Sequence, residues 1–237
     1  AVAGIERRVV ARAEPDPMRF AKGLAEIWAE PKARVFTLFV FLSMTAYFMQ
    51  ELILEPYAGL VFGFTPGQST QLSGAQNGGV FLGRVLVGIM ASGLRLGSLR
   101  AWVARGCLGS AAALAAITLL GQTGGPLVPA VVTLGFFNGV FAVAAIGAMM
   151  ALAGEGRGAR EGTRMGLWGA AQAIAAGFGG LAGAGLADLL RLHLADGAAF
   201  GFVFCLEAAL FLAAAVMALR IIDAPEVRRA AQLVPGE

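Results

Sequence analysis

Charged residues are scarce in this sequence: 14% of its 237 residues are Asp, Glu, Lys or Arg, whereas 58% are hydrophobic. Soluble domains carry about 25% charged residues, so this chain has too few to cover the outer helix faces of a water-soluble protein. The mean hydropathy of +0.75 points the same way. The composition therefore excludes an ordinary soluble enzyme and predicts an integral membrane protein.

Cysteine and histidine are also rare, with two cysteines, Cys107 and Cys205, and one histidine, His193. Both cysteines lie inside apolar runs, so a disulfide framework and a Cys-x-x-Cys metal or redox site are excluded. His193 lies in a polar connection between two apolar runs. We therefore expect His193 at the surface and not as a metal ligand.

Six long apolar runs fill most of the chain, and each has about the 20 residues that a helix needs to cross the membrane core. They lack the strict polar–apolar alternation of barrel strands. The sequence thus predicts an all-α integral membrane bundle with six transmembrane helices. The runs cover residues 35–54, 76–96, 101–121, 127–151, 165–189 and 198–222.

Positive charge is distributed unevenly around these runs: sixteen of the 18 Lys and Arg lie on one side, and only Arg191 lies in the opposite connections. The excess of positive charge on cytoplasmic loops places both ends of the chain in the cytoplasm. We expect a cytoplasmic linker with a short amphipathic helix at 1–34, a six-helix transmembrane half-domain at 35–222 and a cytoplasmic tail at 223–237. Because the basic residues follow topology, no nucleic-acid partner is expected.

A helix break is predicted at Pro56, because proline lacks a backbone donor and clashes with the preceding turn. The segment 57–64 is too short to span a membrane and too apolar for an open loop. We expect it to lie in the membrane interface, with an aromatic belt formed by Tyr57, Phe62 and Phe64.

Small residues recur at four-residue spacing in the fifth run, which permits close approach of helix backbones. The two sets are Gly169, Ala173 and Gly177, and Gly179 with Gly183. This spacing predicts helix packing within the bundle or against a second half, with a functional dimer seam as the alternative.

Ionisable side chains at membrane depth are costly and are candidate functional groups. Arg84 and Glu207 lie at similar depth in the second and sixth runs. Two interpretations stay open for them: a structural salt bridge between the two, or contacts with a ligand, a proton or a partner. An outward-facing Glu207 would be a contact for the helices of a partner protein.

Further polar candidates lie near the ends of the runs or within them. Glu51 and Glu55 are four residues apart on one helix face, with Gln50 beside them, and form either a solvated helix end or a site. Neutral polar groups inside membranes more often bond across helices than bind substrate. This interpretation applies to Gln76, Asn77, Asn138 and Gln172.

Motifs for catalysis are missing. Neither lysine follows a glycine, so there is no phosphate-binding loop, and the four aspartates are never three or four residues apart. A Ser-His-Asp elbow and a His-Glu-x-x-His motif are also lacking. We expect no enzyme activity, no catalytic residue and no metal site. Oxygen atoms of Glu, Gln or Asn, of a backbone carbonyl or of water could still hold a magnesium ion that a larger bound molecule carries.

Three stretches, 50–67, 72–79 and 164–173, together resemble the C-terminal half of the PucC/LhaA family, the bacteriochlorophyll-delivery branch of the major facilitator superfamily. The resemblance extends over residues 35–222, and the loop 93–100 resembles a degenerate copy of that superfamily's cytoplasmic loop signature. Six positions match the family motifs without a settled chemical role: Gln50, Glu51, Glu55, Pro56, Trp168 and Gln172.

The resemblance implies one six-helix half of a major facilitator fold, so this chain would lack the first six spans of a longer protein. It also implies assembly of the bacterial light-harvesting 1 (LH1) antenna around the reaction centre. Bacteriochlorophyll a would be bound or in transit, and the partners would be the antenna α and β subunits, the reaction-centre complex, membrane lipids and pigment-biosynthesis enzymes. The expected location is the intracytoplasmic photosynthetic membrane. Two alternatives are a secondary transporter of a small solute and a pigment-free scaffold for antenna subunits.

Overall fold

A computed structural model describes residues 20–94, 96–154 and 161–221, and the predictions for the 223–237 tail and the start of the linker lie outside these residues. The described chain is all-α, as predicted. Its helices are α1 (Phe20–Ala29), α2 (Pro31–Phe62), α3 (Pro66–Val87), α4 (Leu99–Thr123), α5 (Leu127–Gly154), α6 (Glu161–Arg191) and α7 (Asp196–Ile221), and α3 continues into a π-helical turn at Gly88–Gly93.

Five helices, α2, α4, α5, α6 and α7, are long and apolar enough to cross a membrane, and they correspond to five of the predicted spans. The remaining predicted span, residues 76–96, overlaps α3. The 22 residues of α3 reach about 33 Å at 1.5 Å per residue. That helix also carries eight polar side chains, which lower its hydropathy: Gln68, Ser69, Thr70, Gln71, Ser73, Gln76, Asn77 and Arg84. A membrane crossing by α3 therefore stays a prediction.

Pro56 does not break α2, contrary to the prediction. The helix continues through Pro56 and ends at Gly63, whose φ of 69° lies in the left-handed region. The N–H groups of Gly63 and Phe64 donate back into the last turn of α2 and close the helix end. An apolar setting offers no other hydrogen-bond partners to the backbone, so breaking the helix would leave several groups unpaired. The helix therefore continues and loses only the one donor that proline lacks. The predicted interfacial segment is instead mostly the last turns of α2.

Tyr57 lies in the core and not in an interfacial belt, so that prediction is wrong for this residue. Its ring packs edge-on against Phe200 and Phe204 of α7, with centroid distances of 5.6 and 4.9 Å. Its hydroxyl donates a 2.7 Å hydrogen bond to the carbonyl of Ile117 in α4. Because α2 continues past Pro56, Tyr57 stays on the face of that helix that points into the bundle.

Helices that follow one another along the chain are often not the closest neighbours. The strongest pairings are α2 with α6 and α7, α3 with α5, and α4 with α5 and α7. Exchanging α2, α3 and α4 with α5, α6 and α7 maps this set of pairs onto itself. Two three-helix repeats related by a pseudo-two-fold axis give this pattern, and such repeats build each half of a major facilitator protein.

Glycines allow α3 and α5 to cross in backbone contact. A Cβ on Gly135 or Gly139 of α5 would collide with a carbonyl oxygen of α3, at Gln76 and Val80 respectively. In the same crossing, a Cβ on Gly83 of α3 would collide with the backbone of α5. No larger residue fits at these positions while the two helices keep this distance.

The small-residue prediction for α6 is confirmed for one set and not for the other. A Cβ on Gly179 or Gly183 would lie 2.8 or 2.9 Å from a carbonyl oxygen of α2, so these glycines allow the α2–α6 contact. A Cβ on Gly169 or Gly177 would meet nothing within 4 Å among the described residues. The pair Gly179 and Gly183 therefore packs inside this bundle, whereas Gly169 and Gly177 lie on an open face.

Aromatic side chains connect four helices through the core. Phe36 of α2 packs edge-on against Trp168 of α6 at 4.7 Å, and Phe39 of α2 lies 6.5 Å from Phe141 of α5. Phe141 in turn contacts Phe211 of α7 at 5.9 Å. The short helix α1 packs beside the start of α2 and against α6.

Candidate functional site

A cavity of about 310 Å³ lies between α2 and α3, and we call it the α2–α3 pocket. It brings together four of the polar residues selected from the sequence, Gln50, Glu51, Gln76 and Asn77. Polar and apolar side chains alternate around it: Tyr47, Gln50, Glu51, Leu52, Leu54, Ser73, Gln76, Asn77 and Val80. The pocket is therefore the strongest candidate site for a ligand that has both polar and apolar parts.

Gln50 is almost completely buried, with 1% of its surface exposed, and its Oε1 atom has no hydrogen-bond donor among the described residues. Its neighbour Glu51 is exposed. Successive helix residues point about 100° apart, so α2 presents a buried amide and an exposed carboxylate to the pocket. An unpaired buried acceptor costs about 1–3 kcal/mol, which favours a donor or a metal supplied by a ligand.

Hydrogen bonds connect and stiffen the two walls of the pocket. Ser73 of α3 donates its hydroxyl proton to Glu55 Oε1 of α2 at 2.8 Å. Within α3, Asn77 Nδ2 donates to the backbone carbonyl of Ser73 at 3.0 Å. Glu55 shares a helix face with Glu51 as predicted, but it holds α3 in place and does not line the cavity. Pro56 is exposed and lies outside the pocket lining.

Tyr47 adds a phenol to the pocket that sequence reasoning did not select. Its side chain interacts electrostatically with Glu51 of α2 and with Arg84 of α3. The spacing of four residues between Tyr47 and Glu51 places both on one helix face and could have revealed this neighbour. Arg84 therefore lies close to one side of the pocket, although it does not line the cavity.

Arg84 and Glu207 do not form a salt bridge, which was one of the two interpretations of these residues. Arg84 is exposed on α3, whereas Glu207 is fully buried at the middle of α7. Neither carboxylate oxygen of Glu207 has a hydrogen-bond partner in the part of the chain that the structure describes. The idea of an outward-facing Glu207 that contacts antenna helices is also wrong, because the side chain lies inside the bundle.

Asn138 bonds across helices, as predicted for a neutral polar group inside the membrane. It is fully buried on α5 and accepts a 2.8 Å hydrogen bond from the Ser110 hydroxyl of α4. Its Nδ2 atom has no acceptor within the described ranges. Neither Asn138 nor Glu207 lines the α2–α3 pocket.

The second stretch of family-motif residues lies away from this pocket. Trp168 is buried on α6 at the end of the bundle where α2 begins, in a separate cavity with Arg164 and Glu30. Gln172 lies one turn further along α6, is partly buried and lines neither cavity. The structure therefore separates Trp168 and Gln172 from the α2–α3 pocket.

The described residues contain no group of three or more His, Cys, Asp or Glu side chains that could hold a metal ion. His193 is exposed in the connection between α6 and α7. At the α2–α3 pocket, the amide oxygen of Gln50 and the carboxylate of Glu51 are hard oxygen ligands of the kind that magnesium prefers. They could complete the coordination of a magnesium ion that a larger molecule carries. The expectation that the chain has no catalytic residue stays a prediction.

These features define a multi-pass α-helical membrane protein with two three-helix repeats and a polar pocket beside its first long helix. Its particular family is shown by a comparison with family models. The chain belongs to the family of PUCC proteins, whose model matches residues 2–225. The assignment agrees with the resemblance that the motifs around Gln50 and Trp168 carry.

Two relatives come from Rhodobacter capsulatus. The chain is 66% identical over 239 aligned positions to the "Bacteriochlorophyll synthase 44.5 kDa chain", and the match covers all of this chain and 56% of that protein. It is 32% identical over 163 positions to the "Uncharacterized protein in puhA-bchM intergenic region", covering 67% of this chain and 32% of that protein. The chain thus spans little more than half of the first relative and about a third of the second. No solved structure matches it.

Proposed function

We propose that the chain is part of a membrane assembly factor that handles bacteriochlorophyll and delivers it to the subunits of a bacterial light-harvesting antenna. Membership in the PUCC family, together with a close relative named as a bacteriochlorophyll synthase chain, supports a role connected with photosynthetic pigment or antenna complexes. The recipients in this proposal are the α and β subunits of the LH1 antenna around the reaction centre. The site of action is the intracytoplasmic photosynthetic membrane, with both ends of this segment in the cytoplasm.

The unpaired Oε1 atom of Gln50 in the α2–α3 pocket is the observation that carries the proposal. The magnesium at the centre of a bacteriochlorophyll accepts a further ligand, and a hard oxygen atom suits it. Coordination would give Gln50 the partner that the described protein residues do not supply. Leu54 and Val80 line the same pocket and offer apolar contacts to the flat macrocycle.

The size of the pocket limits how much of a pigment it can hold. Sites that enclose a drug-sized ligand measure about 300–1,000 Å³, and this cavity of about 310 Å³ is at the lower end. Only the region around the magnesium would enter, while the rest of the pigment would lie against exposed apolar side chains. Leu52 of α2 and Phe81 of α3 offer such surface beside the pocket, since both are more than half exposed. This partial enclosure suits a carrier that must release its cargo.

The test is a near-infrared absorption spectrum of the full-length protein, purified gently from a pigment-producing host and washed free of antenna subunits. Gln50→Leu removes the oxygen ligand but keeps a side chain of similar size, so it should abolish most of the bound-pigment band. Gln172→Leu is the matched control, because it removes a glutamine that lies outside the pocket, and it should leave the band unchanged.

Each outcome separates the proposal from its alternatives. Co-purifying antenna polypeptides without intrinsic pigment would contradict pigment handling and favour a scaffold. Bound pigment that Gln50→Leu does not reduce would contradict the α2–α3 pocket as its site. Solute uptake into vesicles that contain the purified protein, with neither pigment nor antenna subunits bound, would favour a secondary transporter.

A further inference from the structure

A second cavity, of about 230 Å³, lies at the end of the bundle where α2 begins, and the proposed function does not use it. We call it the Arg164 pocket. It is formed where α2, α5 and α6 meet, and its lining residues are Glu30, Lys32, Ala33, Phe36, Leu152, Arg164 and Trp168. Two basic side chains and an indole make this cavity rich in hydrogen-bond donors.

Arg164 is a buried cation near the start of α6, with 6% of its surface exposed. Its Nη2 atom donates to Glu30 Oε2 at 2.6 Å, and its Nη1 atom donates to the carbonyl of Ala153 at 3.4 Å. A buried charge is tolerated only when it is paired and hydrogen-bonded. The Glu30 side chain is much more exposed than its partner, at 43% against 7%. The acidic member of the pair is therefore the one that can move away into solvent.

Trp168 shows that Glu30 does not satisfy all donors of the pocket. Its side chain is 1% exposed, and its Nε1 atom has no hydrogen-bond acceptor among the described residues. Buried indole N–H groups usually have an acceptor, as Trp102 does in this chain, where Nε1 donates to the carbonyl of Leu96 at 2.9 Å. The Arg164 pocket thus combines a buried cation with an unused buried donor.

We propose that the Arg164 pocket binds a phosphate group, which takes the place of the Glu30 carboxylate on Arg164 and also accepts a hydrogen bond from Trp168. A carboxylate has only two oxygens, and the carboxylate of Glu30 leaves the Trp168 indole without an acceptor. A tetrahedral phosphate has more oxygens and can engage separate donors, while the planar guanidinium suits it well. The cavity is smaller than sites that enclose a drug-sized ligand, so it fits a headgroup-sized anion.

The exchange has a mechanical consequence, because Glu30 connects α1 to α2 and its ion pair reaches across to α6. Binding of phosphate releases Glu30 and so weakens the attachment of α1 to the bundle. The phosphate comes either from the headgroup of an anionic phospholipid or from solution. This proposal is independent of pigment binding at the α2–α3 pocket.

Binding is measured by titration calorimetry with inorganic phosphate on the full-length protein in detergent. Trp168→Phe keeps the aromatic packing but removes the donor, so it should weaken binding about tenfold, the loss expected for one hydrogen bond to a charged group. Glu30→Gln removes the competing carboxylate and should strengthen binding. Trp102→Phe is the matched control, since its indole already has an acceptor inside the protein, and it should leave the affinity unchanged.

The lipid source is tested by the thermal stability of the same variants in nanodiscs of phosphatidylcholine, with and without phosphatidylglycerol. Stabilisation by phosphatidylglycerol that Trp168→Phe reduces supports a lipid headgroup, and a Trp168-dependent response to inorganic phosphate alone supports a soluble source. The proposal is overturned if neither probe binds, or if Trp168→Phe binds both as well as the unchanged protein does. Tighter binding of an acidic peptide than of either phosphate probe would also overturn it.

Discussion

The hydroxyl of Tyr57 and the carbonyl of Ile117 form a 2.7 Å hydrogen bond that joins α2 to α4 across sixty positions of the chain. Gly121 lies one turn further along α4, and a Cβ at that position would collide with the same hydroxyl. The phenol therefore needs both the acceptor at Ile117 and the missing side chain at Gly121.

A double-mutant cycle tests this dependence. Gly121→Ala should destabilise the protein by about 1–3 kcal/mol, as overpacking of a core does, and Tyr57→Phe by about 1 kcal/mol through the lost hydrogen bond. In the double variant the colliding oxygen is gone, and the nearest ring carbons would lie 3.2 Å from the new Cβ. The combined cost should thus be smaller than the sum of the two, measured by unfolding in detergent. Additive costs would contradict the contact.

Two Gly→Ala substitutions should have opposite effects on stability, one inside the crossing of α3 and α5 and one outside it, in α2. Gly139→Ala should destabilise the bundle by about 2 kcal/mol or more, because the new methyl group collides with the carbonyl of Val80. Gly59→Ala is the control, since its Cβ would make only an ordinary contact of 3.7 Å and alanine favours a helix by up to about 1 kcal/mol. The measurement is the unfolding midpoint of each variant. Equal midpoints would show that the backbones do not meet at Gly139.

Glu207→Leu should make the protein more stable. The buried carboxyl group has no hydrogen-bond partner in the described structure, so replacing it by an apolar group of similar size removes a desolvation cost of about 1–3 kcal/mol. Asn138→Leu is the comparison, because it also removes the acceptor of the Ser110 hydroxyl and should stabilise less or destabilise. Unfolding curves give both values. A loss of stability in Glu207→Leu would mean that the carboxyl has a partner in the complete protein.

Arg191, at the end of α6, pairs with two carboxylates at unequal distances: Asp188 of the same helix and Asp196 at the start of α7. Its Nε atom lies 2.7 Å from Asp196, and its Nη1 atom lies 3.4 Å from Asp188. Asp196→Asn should therefore lower the unfolding midpoint more than Asp188→Asn. Both effects should shrink as salt is added, because exposed ion pairs are screened. A midpoint difference that persists in high salt would show that packing, and not charge, sets the effect.

Much of the fold could be predicted from hydrophobic runs, because a helix that crosses lipid needs a fixed length of apolar residues. The ends of the helices are harder to predict from the sequence. A proline predicts a helix end at Pro56, whereas the helix ends at the C-cap Gly63, with its left-handed backbone. The start of α3 also carries a signal in the sequence, since Thr65 and Gln68 form a reciprocal capping box.

The candidate site could be predicted only in part. Helix spacing places Glu51 and Glu55 on one face of α2, but it does not say which helix packs opposite that face. Depth in the membrane is also not enough to predict which side chains meet. Similar depths make a contact between Arg84 and Glu207 one interpretation of the sequence, yet each helix also has a rotation about its axis, and these rotations point the two side chains to different surroundings. Only the tertiary packing fixes those rotations.

The pairing of α2 with α6 and α7 bears on how the protein is made. About 100 residues separate the end of α2 from the start of α6, and ribosomes add about 5–20 residues per second, so roughly 5–20 seconds pass before the first of its main partners begins to be made. During this interval the face of α2 that carries Gln50 and Tyr57 has none of its lasting contacts from α6 or α7. Insertion machinery or lipid must occupy that face until the second repeat arrives. The first long helix of this segment is thus among the last of its helices to acquire its permanent neighbours within the segment.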